Sequence, residues 1–264
     1  MPAEEATPAI VLRTRDYMES DRIVTLLTEQ MGKLGGIAKG AKASRRRFEH
    51  RLEPFSHVML YFRRRPHGQL VFITRAEAAG LQPFRLEDDL GRLALGAYML
   101  ELAEALTSED AEASGAYHLL TEALAALGAG EATTALRQAY ELRMFRWAGF
   151  GMQFDRCRVC AESQGESQAQ SQVGSTAVYF IIGRGGIVCA RCRESVPEGG
   201  IRLGAASAAA LTELGRVPMT AAAAATAAGA DGALAIARFI ASVVDRKLRS
   251  VEFLDSVIAP ATRA

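Results

Sequence analysis

The chain's four cysteines fall as two Cys-x-x-Cys pairs, Cys157 with Cys160 and Cys189 with Cys192. Thiolates at this spacing can turn toward one ion from a tight knuckle. Two knuckles complete the tetrahedral four-sulfur shell that holds structural zinc. Gly183, Gly185 and Gly186 precede the second pair and free the backbone to turn sharply into it. The gap between the pairs, residues 161–188, is longer than usual, and the Ser-, Gln- and Gly-rich stretch from Glu162 to Ala177 accounts for the excess as a loop.

Other uses of the cysteines fit less well. Two disulfides require an oxidising compartment, ferredoxin-type cluster ligands are spaced differently, and a thioredoxin-like pair comes alone. Four thiolates leave no coordination position for a reactive water. The nucleic-acid deaminase signature is missing as well: none of His50, His57, His67 and His118 begins a His-x-Glu, and no proline precedes Cys157 or Cys189. The expected cofactor is structural Zn2+.

The second candidate chemistry is electrostatic. The net charge is only +1, but it is unevenly spread. Residues 31–75 hold eleven basic side chains against two acidic ones, Glu49 and Glu53, a local charge of +9. Residues 81–156 hold six basic against twelve acidic, a local charge of −6. The densest run is Lys39, Lys42, Arg45, Arg46 and Arg47, with Arg63, Arg64 and Arg65 further on. Such a stretch suits a phosphate backbone, and the nearby aromatics Phe48, Phe55, Tyr61, Phe62 and Phe72 are of the kind that stack bases on small barrels. Phe55, Phe62 and Phe72 are expected in the core. No feature points to base-specific readout.

Elements must position both sites. Short Val-, Ile-, Leu- and Phe-rich stretches at 9–13, 22–28, 33–38, 56–62 and 69–74 read as five strands, with Val58, Leu60 and Phe62 on one face. Five strands in about eighty residues suit a small closed barrel such as the OB-fold. From Leu86 to Leu106 apolar residues recur at helical spacing, with Glu87, Asp88 and Asp89 expected in the first turn. Further helices are expected from Glu112 to Leu127, ending at Gly128, and from Glu131 to Trp147, ending at Gly149. Trp147 and Phe150 are expected to pack between helices. The alanine-rich run 221–228 is expected to be helical, as is 233–248 with Leu234, Ala237, Ile240 and Val244 on its buried side. The fold class is α+β: 1–80 a barrel, 81–150 helical, 151–197 a four-cysteine module and 198–264 helical again.

In order along the chain, Val11–Leu26, Thr28, Gly32-Lys33 and Ile37–Gly40 resemble the start of RecO proteins. Leu93–Leu106 resembles the family's first long helix, Tyr140–Arg143 with Gly149-Phe150 and Asp155-x-Cys157 its entry into the cysteine module, Gly185–Cys189 its second knuckle and Leu248–Leu254 its C-terminal helix. The resemblance implies an N-terminal OB-fold and a helical body from two separated segments with a zinc module inserted between them. It implies binding of single- and double-stranded DNA, annealing of complementary strands, and work with RecR to load the RecA recombinase onto DNA coated by single-strand-binding protein, whose acidic tail is a further partner. By position it places Lys33 and Lys39 against DNA; Lys42, Arg45, Arg46 and Arg47 join them on charge alone.

No phosphate-cradling glycine loop and no His–carboxylate pair argue for catalysis, so the chain is expected not to be an enzyme. An RNA- or ribosome-associated barrel protein and a zinc scaffold with an incidental basic loop are the alternatives. No window of roughly 18 apolar residues and no basic-then-apolar leader is visible, so a cytoplasmic, nucleoid-associated location and no membrane partner are expected.

Overall fold

The computed structural model describes residues 3–44, 46–65, 69–79, 84, 86–109, 112–163 and 177–258. Chain contacts divide it into two compact units: Met1–Glu131 with Leu248–Ala264, and Ala132–Lys247.

The first unit opens with β1 (Glu5–Tyr17), β2 (Asp21–Thr28), β3 (Gly32–Ala38), β4 (His57–Arg63) and β5 (Val71–Ala78), closed into a barrel in the order β1-β2-β3-β5-β4. This is the OB-type barrel expected. Alternation sets the inside: Val58, Leu60 and Phe62 of β4 are buried while the residues between them are half-exposed. They meet Val11, Val24, Leu26, Leu34 and Ile73 in one core. Closure comes from a short parallel contact, Gly36 with Val71 and Ile37 with Phe72. Of the expected core aromatics only Phe62 lies fully inside. Phe72 stands on the outer face, half-buried, because the closing register turns Val71 and Ile73 inward. Phe55 is half-buried too, with its ring edge against Gly96.

Three helices complete this unit: α1 (Leu90–Leu106), α2 (Ser114–Ala129) and, from the chain's far end, α7 (Ser250–Val257). The acids before α1 do not fill its first turn. Asp89 is instead the N-cap, its carboxylate accepting from the Arg92 N–H at 2.7 Å. Nor does Gly128 end α2, which runs through it. A Cβ there would sit 3.0 Å from the Phe84 carbonyl oxygen, so glycine answers to a close approach and not to a cap. Glu101 of α1 accepts from the Arg249 and Ser250 N–H groups at 3.0 and 2.8 Å, a carboxylate at the start of α7 where helix N–H groups lack partners. A polar seam joins barrel to helices: Arg13 pairs with Glu104 at 2.9 Å, and His57 Nε2 lies 2.6 Å from the Tyr117 hydroxyl.

The second unit holds α3 (Thr134–Trp147), a three-stranded antiparallel sheet of β6 (Val178–Ile181), β7 (Gly186–Cys189) and β8 (Ile201–Leu203), then α4 (Ala205–Leu214), α5 (Met219–Ala222) and α6 (Ala230–Val243). Gly149 follows α3 at φ +85°, as a helix-ending glycine should. Phe150 beyond it is 48% exposed, so it does not pack between helices as expected. The alanine run forms only the end of the four-residue α5, since small side chains give little to bury. On α6 the buried side is Gly232, Ala235, Ile236, Phe239 and Ile240; Leu234 and Ala237 face out, a rotation imposed by Phe239. Its ring stands 5.6 Å from Phe145 of α3 and 5.9 Å from Phe180 of β6, and Phe180 stacks on Phe154 at 5.2 Å. This aromatic cluster fixes the sheet that carries the cysteines. Among the described residues, no helix is long and apolar enough to cross a membrane.

Candidate functional sites: a cysteine cluster and a basic barrel loop

The cysteines converge. Cys189 ends β7 and Cys192 lies in the 3₁₀ turn that follows, Ala190–Ser195. The segment carrying Cys157 and Cys160 is laid beside β7 by the Ile187 N–H donating to Gln153 and the Arg158 N–H donating to Ile187, at 3.1 and 2.8 Å. Gly186 permits that crossing, since a Cβ would stand 2.6 Å from the Arg158 side chain. The first knuckle closes with Ala161 at φ +60° and its N–H on the Cys157 carbonyl at 3.0 Å.

All four Sγ atoms lie within 4.8 Å of one another, with Cys160 and Cys189 at 3.9 Å. A tetrahedral site with metal–sulfur bonds of about 2.3 Å has sulfurs about 3.8 Å apart, so the cluster fits such an ion. Ile181, Val188 and Val196 form the apolar shell around Cys157 and Cys189. Burial pushes the Cys157 thiol up, but the N–H groups of Cys160, Cys189 and Val159 outweigh it and hold it down at about 6. Burial and the neighbouring thiols of Cys189 and Cys160 push Cys192 up to about 12, and burial likewise raises Cys189. One thiolate thus forms readily while Cys189 and Cys192 resist adding charge beside it, an arrangement that a divalent cation relieves. The loop expected between the knuckles falls largely outside the described residues.

The basic stretch is the connection from β3 to β4. Its second arm is pinned from inside: Phe48 and Leu52 are 2% and 1% exposed in the barrel core. The Arg47 carbonyl accepts from Ala76 at 2.9 Å, and the Gly40 N–H donates to Asp21 at 2.8 Å. Anchored this way, the loop presents Lys39, Arg46 and Arg47 to solvent. Arg47 donates to the Lys39 carbonyl at 2.7 Å and lies over the Phe48 ring. Among the described residues, no acid lies within ion-pair reach of these three.

The other basic residues are differently placed. Lys42 pairs with Asp16 at 2.9 Å, Arg51 with Glu49 at 2.7 Å, Arg64 with Glu5 at 3.1 Å and Arg75 with Glu77 at 2.7 Å. The Lys42 ammonium beside it holds the Asp16 carboxyl below the usual range. Counting acids within 31–75 therefore overstates the free charge, because β1 supplies Asp16 and Glu5 from outside that window. Lys33 stands apart on β3 with its ammonium donated to the Glu104 carbonyl at 3.2 Å. Arg45 lies outside the described residues. Arg15 and Tyr17 near the end of β1 are exposed, a cation and an aromatic that charge counting within 31–75 passed over.

An OB-type barrel with a basic loop, a helical body and a four-cysteine cluster defines the class. The Recombination protein O N terminal family model matches residues 1–82, and the Recombination protein O C terminal model matches 87–252. The DNA repair protein RecO of Anaeromyxobacter sp. (strain K) is 37% identical over 256 residues, 94% of each chain. That of Myxococcus xanthus (strain DK1622) is 34% identical over 259 residues, 94% of this chain and 96% of its own. That of Nocardioides sp. (strain ATCC BAA-499 / JS614) is 39% identical over 190 residues, 70% and 72% of the two chains. The chain belongs to the RecO family of DNA repair proteins.

Proposed function

We propose that the chain is a recombination mediator that binds single- and double-stranded DNA through the loop after β3, anneals complementary single strands, and with RecR helps load the RecA recombinase onto DNA coated by single-strand-binding protein. The observation that carries this is the solvent-facing trio Lys39, Arg46 and Arg47, cations that no acid among the described residues neutralises, on the barrel of a RecO-family chain. Lys42 joins the contact by exchanging Asp16 for phosphate, Arg45 is assigned to it on charge alone, and Lys33, at the other end of β3, is assigned on the family resemblance. RecR and the acidic tail of single-strand-binding protein enter as partners on family membership, and a nucleoid-associated place in the cytoplasm follows from the DNA substrate.

No covalent chemistry is assigned to the chain. Mutual repulsion of two polyanions is the main barrier to annealing, and a basic surface lowers it by neutralising phosphates while bases stay free to pair. Cys157, Cys160, Cys189 and Cys192 hold one Zn2+, which when bound supplies folding free energy. The Cys157 N–H group donates to Glu162 and the Cys189 N–H to Cys157 Sγ, so the backbone holds the knuckles in register.

The test is annealing of complementary oligonucleotides without nucleotide, with and without the cognate single-strand-binding protein. Acceleration is expected, slowed by salt, and slowed more by Lys39→Glu than by Lys39→Ala. Strict dependence on ATP, or no acceleration, would overturn the proposal.

A further inference from the structure

Beneath the basic loop lies a cleft of about 380 Å³, lined by Arg22, Lys42, Ser44 and His50 over a floor of Phe48 and Leu52. Arg22 comes from β2, Lys42 and Ser44 from the first arm of the loop, and His50 from its second. Among the described residues no carboxylate contributes to the wall. The acids that pair with Arg22 and Lys42, Glu53 and Asp16, lie outside it.

Although Arg22 and Lys42 pair with Glu53 and Asp16, the cleft keeps donors without a hydrogen bond. The buried Arg22 Nε–H makes no hydrogen bond within the described residues, its Asp16 ion-pair partner standing too far for one at 3.7 Å. Ser44 Oγ accepts from the Arg47 N–H at 3.3 Å, which leaves its own proton to donate. The walls are held in place, since the Lys42 N–H donates to the Ser20 carbonyl at 3.1 Å and Leu52 is locked in the core. A guanidinium fork, an ammonium, an imidazole and a hydroxyl around one space match a tetrahedral oxyanion.

We propose that this cleft is a seat for a phosphate group, filled by a phosphate of a bound strand or by free phosphate. Only the first source rests on the DNA-binding function. The probe is inorganic phosphate, titrated into the full chain at ionic strength held constant with chloride and followed by phosphorus NMR line broadening and thermal unfolding. A saturable effect is expected in the wild type, weakened about tenfold or more in Arg22→Gln and in His50→Gln through loss of a charge-assisted donor. Arg22 also pairs with Glu53 and Asp16, whereas His50 is exposed and has no ion pair among the described residues, so His50→Gln keeps the test open if Arg22→Gln fails to fold.

A second arm adds phosphate to the chain bound to a labelled single strand. Competition that disappears in His50→Gln identifies a strand phosphate as the occupant, and phosphate binding without competition identifies free phosphate. Both outcomes support the seat. No saturable effect on the wild type, or an equal effect on wild type and both variants, would remove it. Failure to bind DNA at all would sink the proposed function while the phosphate titration still decides the cleft.

Discussion

Replacing Lys39, Arg46 and Arg47 together with alanine removes three loop cations that have no acid within ion-pair reach among the described residues. Each phosphate contact adds about 0.7 to the slope of log affinity against log salt for a single strand, so losing three should flatten the slope by about 2. Across a fourfold range of salt, a change of that size alters the ratio of affinities roughly 20-fold. The charge-matched comparison is Arg51, Arg64 and Arg75 to alanine. Each of these already sits within 2.7 to 3.1 Å of its own carboxylate, so a phosphate must first displace Glu49, Glu5 or Glu77. This second variant lowers affinity through the carboxylates it uncovers, but its slope should change by less than about 1, since few phosphate contacts are lost. Fluorescence anisotropy of a labelled oligonucleotide across a salt series measures both, and circular dichroism checks that each variant is folded. Equal flattening in the two triple variants would refute the reasoning that ion pairing decides which cations meet phosphate.

Elemental analysis should find about one zinc per chain, and Cys157→Ser or Cys189→Ser should lose metal and solubility together; a well-folded, metal-free wild type contradicts this. Phe48→Ala should cost about 3–5 kcal/mol in denaturant unfolding, because it empties the barrel core and frees the loop; a cost under about 1 kcal/mol would mean that Phe48 is no anchor. Burial lowers the His57 pKa from 6.5 beside Tyr117, with Glu29 opposing, so the unfolded chain binds the extra proton more readily. Stability should therefore be full above pH 6.5 and fall as pH drops below it, and His57→Gln should flatten the melting temperature across that range; an unchanged profile in the variant would assign the loss to another group.

The parts of the fold that depend on neighbours in the chain were legible. Val58, Leu60 and Phe62 alternate, and that alternation is the barrel wall. A closed barrel was expected from the number of strands, but its closing register was not legible, because the contact of β3 with β5 rests on two residue pairs far apart in sequence. The same limit moved Phe72 outside and extended β1 from the expected 9–13 to Glu5–Tyr17, since its polar ends are held by β2 and β4 and not by their own hydrophobicity. Helix faces failed for a related reason. Leu234 and Phe239 of α6 compete to define the buried side, and the aromatic cluster of Phe145 and Phe180 decides it from other elements.

The two candidate sites divide along that line. A Cys-x-x-Cys pair is a local object whose spacing already sets a knuckle, and the sheet has only to bring two together, as β7 and the segment beside it do. Charge is not local in this sense. The run from Lys39 to Arg47 looks uncompensated along the chain, yet Asp16 reaches Lys42 from the adjoining hairpin and Glu5 reaches Arg64 from the start of β1. What separates an unpaired cation from a paired one is the acid across the register: Asp16 stands opposite Arg22 on β2, where it also reaches Lys42 of the loop. The trio that survives is displayed by Phe48 and Leu52, two apolar residues just beyond the run, and the exposure of these cations therefore depends on burial as much as on charge.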